Sequence, residues 1–146
     1  MREKILEQKK SVWVFILIIA LSIFFETSVT TLPLIVGTFV LFAVILQRDW
    51  VFVAAFLSGL IFDILTLRTI GTTSIFLIVL IFTIFLYKNK FEIETIPFVF
   101  IACFFASFIF LITAGFSNLL LPAFIVSIFA SVLFRLLSAP LRGKIR

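Results

Sequence analysis

The side chains that could do chemistry in this chain are few, and they gather around one acid. Asp63 stands well inside an apolar run, in the stretch Gly59-Leu-Ile-Phe-Asp63-Ile-Leu-Thr-Leu-Arg68-Thr-Ile-Gly71. A carboxylate in lipid costs about 3 kcal/mol or more, so it needs a partner or a task. An intramembrane aspartyl site would need a second acid at the same depth to share a proton. The one candidate, Glu26, closes an apolar run and lies at the membrane edge. Nucleophilic catalysis needs a base, and histidine is absent. Cys103 is the single cysteine, which rules out an internal disulfide and a Cys/His metal cluster. The five glycines are scattered, so none forms a phosphate-cradling loop. The residues define no catalytic, cofactor-binding or metal site, and the chain reads as a non-enzyme.

The elements that must position Asp63 follow from composition. Hydrophobic residues make up 64% of the 146 and charged residues 13%. A soluble domain carries about 25% charged residues, and mean hydropathy here is +1.38. The reading is a polytopic, all-α membrane protein, with residues 1–146 as a single integral membrane domain. The 22 phenylalanines read as lipid-facing filler. Net charge is +5, but in such a chain the placement of charge matters more than its sum, and no nucleic-acid partner is implied.

Six helices are expected, at about 12–26, 32–46, 50–67, 74–87, 96–114 and 119–137, with polar tails at 1–11 and 138–146. Pro33, Pro97 and Pro122 each open a helix, where a missing N–H costs nothing. Residues 26–31 form a hydroxyl-rich turn, and Gln47-Arg48-Asp49 marks an interface. Several helices are short against the ~20 residues of a full span. With six helices, both termini and the loops at 47–49 and 88–95 share one side. That side holds eleven of the twelve Lys and Arg residues; Arg68 alone lies opposite. Cytoplasmic Lys/Arg enrichment then puts both termini inside. Trp13, Trp50 and Tyr87 fall at the same interface.

Thirteen residues at ~1.5 Å each carry Asp63 about 20 Å beyond Trp50, into the outer half of a core ~30 Å thick. Its expected partner is Arg68, or the hydroxyls and N–H groups around Thr72 and Thr73. Arg135 is too far away, near the inner surface. Ala55, Gly59 and Asp63 recur every fourth residue and form one stripe; Ala123, Ser127 and Ser131 do the same on the sixth helix. Small residues at this spacing let helices approach closely in lipid, within the bundle or against a partner.

The arrangement resembles the bacterial rod-shape-determining MreD family. The likeness lies in Leu32-Pro33, in Arg48-Asp49-Trp50, in the run from Ala54 through Gly59 and Asp63 to Leu65, and in Gly71 eight residues after the acid. It covers roughly 32–80; elsewhere only hydropathy matches. Thr66-Leu67 departs from the family, where a small or glycine residue is common before the turn. The resemblance implies a non-enzymatic scaffold in the bacterial cytoplasmic (inner) membrane, with no cofactor. Its partners would be an MreC-like bitopic protein and, indirectly, the actin-like MreB and RodA with its transpeptidase, which together direct lateral peptidoglycan synthesis and cell shape. Pro33, Ala55, Gly59, Asp63, Arg68 and Gly71 would be its structural or partner-facing residues. The family also looks like the six-helix S components of energy-coupling-factor vitamin transporters, which makes substrate binding for such a transporter the alternative. The first helix holds only Ala20 where those proteins carry a coupling pair of alanines.

Overall fold

A computed structural model describes residues 1–28 and 32–145, the side chains of 4–8, 10, 11 and 139–145 excepted. Six helices and no strand occur among the described residues: α1 Arg2–Ser28, α2 Leu34–Leu46, α3 Trp50–Leu65, α4 Thr72–Lys88, α5 Ile96–Ala114 and α6 Leu120–Ile145.

The helix α2 is the centre. Its sequence, LIVGTFVLFAVIL, has no charged residue, and every residue from 35 to 44 is buried. It packs against each of the other five helices. A helix apolar all round fits only such an enclosed place or lipid. Phe39 and Phe42 fill the space around it, and Phe15 of α1 meets Phe42 edge-on at 4.6 Å between ring centroids.

The surrounding helices bury one face each. On α1 the inward residues are Phe15, Ile19 and Ile23, four apart. Their outward faces are apolar too: Phe24 on α1, Leu57 on α3, Phe82 on α4, Phe105 on α5 and Phe129 on α6 are all about half exposed or more. Soluble proteins rarely expose contiguous apolar surface on such a scale. Two stretches, Ile96–Ala114 and Leu120–Ser138, are long and apolar enough to cross a membrane. The apolar stretches Val12–Ser28, Leu34–Leu46, Trp50–Leu65 and Thr72–Lys88 are shorter.

Cross-links sort the connections between the two ends of the bundle. At one end Gln47, after α2, donates to the Glu94 carboxylate, after α4, at 2.9 Å. At the other, Arg68, after α3, reaches the carbonyl of Ala114 in the last turn of α5.

Several boundaries differ from expectation. The segment 2–11 is helical rather than a tail, because Glu, Lys, Leu and Gln are good helix formers and nothing breaks the run into α1. Similarly, α6 runs past residue 137 and through Pro140 to Ile145. Pro33 stands just before α2 rather than inside it. Its φ of −77° and ψ of 64°, with the Leu34 N–H on the Leu32 carbonyl at 2.8 Å, form an inverse γ-turn. Pro97 does open α5, and Pro122 sits in the first turn of α6. The fourth helix begins at Thr72 rather than 74, for a reason that lies in the site. The expected turn over 26–31 falls partly outside the described residues.

Candidate functional site

The site is the α3–α4 hairpin and the helix ends beside it. Gly59 comes first in the argument, because it sets how closely the two helices meet. A Cβ placed on Gly59 would lie 2.6 Å from both the Cα and the backbone N of Ser74. No side chain fits there. In return the Ser74 hydroxyl donates to the Phe56 carbonyl at 2.9 Å, tying the start of α4 to the middle of α3. Ala55 and Asp63, one turn to either side of Gly59, are both fully buried on this stripe.

One turn further, α3 ends in a Schellman arrangement. The Arg68 N–H returns to the Asp63 carbonyl at 3.0 Å and the Leu67 N–H to the Ile64 carbonyl at 3.3 Å. Leu67 occupies the left-handed position of that motif, with φ 53°, where glycine is the usual residue. The chain therefore ends α3 at Leu65, two residues earlier than expected.

The side chain of Asp63 then crosses the hairpin. Its Oδ2 accepts the Gly71 N–H at 2.9 Å and the Thr73 N–H at 3.1 Å, and its Oδ1 accepts the Thr73 hydroxyl. Helix α4 starts at Thr72 because Asp63, from the previous helix, supplies the acceptor that an N-cap side chain usually provides. The carboxylate also faces the positive end of the α4 dipole. Gly71 takes φ 98°, which brings its N–H round to the carboxylate; nothing lies within 4 Å of where its Cβ would be, so backbone conformation alone demands glycine.

Arg68 is not the partner. Its Nη2 donates to the Ala114 carbonyl at 3.0 Å, and its guanidinium lies 5.9 Å over the Phe110 ring. The cation thus sits on the negative end of the α5 dipole. Glu26 completes the pattern from α1: its Oε2 accepts the Ile35 N–H at 2.8 Å in the first turn of α2. Two carboxyl groups accept from N–H groups at two helix N-termini, and one guanidinium donates to a carbonyl at a helix C-terminus. The spacing of Asp63, Thr73 and Gly71 was open to sequence reasoning. The role of Glu26 was not, since its partner is a backbone group.

Chemically, this arrangement holds shape. Asp63 has no exposed surface and both its oxygens are engaged, so it has no face for a substrate. No group of three or more metal-capable side chains occurs among the described residues. The cavity between α1, α2 and α6, about 300 Å³, is walled by Leu, Ile, Phe and Val apart from Gly37, Ala130 and the hydrogen-bonded Ser22–Thr38 pair.

No protein-family model, curated protein or solved structure matches this chain. The class stands on the fold: among the described residues the only regular elements are helices, and two of these are long and apolar enough to cross a membrane.

Proposed function

We propose that the chain is a six-span protein of the bacterial cytoplasmic membrane, with both termini inside. On this reading it is a non-enzymatic scaffold of the MreD type for lateral wall synthesis, working beside an MreC-like partner and, through it, MreB, RodA and the RodA transpeptidase. The observation that carries the reading is the α3–α4 hairpin. The residues of the resemblance, Gly59, Asp63 and Gly71, are those that bring two helices into backbone contact and fasten the turn between them. A buried acid spent entirely on helix ends suits a scaffold, whose product is a surface of fixed shape.

Helices shorter than a full span fit the six-span reading as well. The shortest, α2, is enclosed by the other five and need not match the bilayer. The transporter alternative finds no comparable support, since the cavity between α1, α2 and α6 offers a solute almost no polar contacts.

Two experiments test the proposal in separate steps. Single cysteines at Lys90 and Ser117, in a Cys103→Ala background, should label from opposite sides of the membrane; labelling from one side removes the six-span topology. Depletion in a rod-shaped host should give round cells, and affinity purification should recover an MreC-like bitopic protein. Rods that stay rods, or recovery with an ATPase module and a bound vitamin, would overturn the scaffold.

A further inference from the structure

We propose that the recess between the α3–α4 turn and the end of α5 binds the phosphate of an anionic phospholipid from the outer leaflet. The recess has a volume of about 190 Å³, and its lining includes Arg68, Thr69, Thr72, Thr73 and Thr113 together with the rings of Phe76 and Phe110; the Thr73 hydroxyl is spent on Asp63. Arg68 is held in place by the Ala114 carbonyl and the Phe110 ring, and these contacts use one of its five N–H donors. The Thr69 and Thr72 hydroxyls bond each other at 2.7 Å, so one of their two protons remains to be donated. The Thr113 hydroxyl is spent on the Phe110 carbonyl. The recess therefore presents a fixed guanidinium and a hydroxyl donor, the donor set that phosphate takes.

Asp63 and Glu26 are engaged on the backbone of α4 and α2, and neither lines the recess. The surroundings select the kind of phosphate. Leu67 is 94% exposed and Ile70 70%, on the turn that carries Arg68, and Ile112 and Phe116 are exposed on the α5 side. A free phosphate has no use for such neighbours. A phospholipid does: the recess holds its phosphate, while its acyl chains lie on the apolar side chains around it. The inference rests on the membrane placement proposed above and not on the cell-shape reading, and cysteine labelling decides that placement independently.

The full chain in detergent is titrated with dioleoylphosphatidylglycerol and followed by native mass spectrometry. Dioleoylglycerol serves as the phosphate-free control and inorganic phosphate as the tail-free one. The phospholipid is expected to bind at least about tenfold more tightly than either control, and Arg68→Gln to lose about that factor, the value of one charge-assisted contact. Arg68→Lys should keep part of the binding. The pair Thr69→Val and Thr72→Val leaves the Asp63 contacts intact, so it tests the recess in a folded protein and should weaken binding severalfold. Equal binding of dioleoylglycerol, displacement by equimolar inorganic phosphate, or unchanged binding in both sets of variants would each overturn the proposal.

Discussion

Asp63 and Thr73 bond twice across the α3–α4 turn, the backbone N–H to one carboxylate oxygen and the hydroxyl to the other. With the Gly71 N–H, this ties together residues ten positions apart through a group that is fully buried. The relationship makes the carboxylate part of α4 although it belongs to α3, and the first expectations follow from it.

Asp63→Asn keeps the shape of the side chain but replaces one acceptor oxygen with a donor NH₂ that faces other donors. Hydrogen bonds to a charged group contribute about 1.5–3 kcal/mol each, and an unmet buried donor costs a further amount. The variant should lose roughly 2–4 kcal/mol of stability, read as a lower midpoint in unfolding from detergent micelles. An unchanged midpoint would show that the charge is dispensable.

Thr73 separates the hydroxyl from the backbone. Thr73→Val removes the hydroxyl and keeps the N–H, while Thr73→Ser restores the hydroxyl. Valine is expected to cost about 1–2 kcal/mol and serine much less. Combined with Asp63→Asn, the valine variant should cost less than the sum of the two, because the residues act through one contact. Additive losses would deny the coupling.

Gly59→Ala must push the start of α4 away from α3, since the new methyl group would meet backbone atoms of Ser74. Overpacking of this kind costs about 1–3 kcal/mol. Ser74→Ala should not rescue it, because the Cα and N of residue 74 remain in the way. Recovery of stability in the double variant would mean that the hydroxyl, not the backbone, makes the clash.

Leu67 offers a change in the opposite sense. Its left-handed φ of 53° is one that glycine adopts without strain. Leu67→Gly is expected to raise stability by up to about 1 kcal/mol, and Gly71→Ala, at φ 98°, to lower it by about as much or more. Thermal scans of the two variants should move in opposite directions.

These residues also show where sequence reasoning carries and where it stops. That Asp63 needs a partner was plain from one carboxylate in an apolar run. Which partner it takes was open, because Arg68 and Thr73 lie on either side of the same turn. The outcome depends on the turn itself: ending α3 at Leu65 carries the Arg68 side chain across to α5 and leaves the carboxylate to α4. The stripe of Ala55, Gly59 and Asp63 was legible because period four on a helix is simple to count. The central place of α2 was not, since a helix apolar on all sides reads the same in lipid as in protein. Glu26 illustrates a third case. An acid nine residues before the N–H it closes leaves no periodic trace.

The enclosure of α2 has a consequence for how the protein is made. The ribosome releases α2 among the first helices, yet four of its neighbours, α3, α4, α5 and α6, are still to come, and α6 begins only at Leu120. Until then only the helices already made, α1 the first of them, can cover it. Thirteen residues rise ~20 Å, about two thirds of the hydrocarbon thickness, so the young helix is also a poor span in its own right. The last third of the chain thus completes the home of a segment made near its beginning. Chains cut short before α6 would carry an α2 with one apolar flank uncovered.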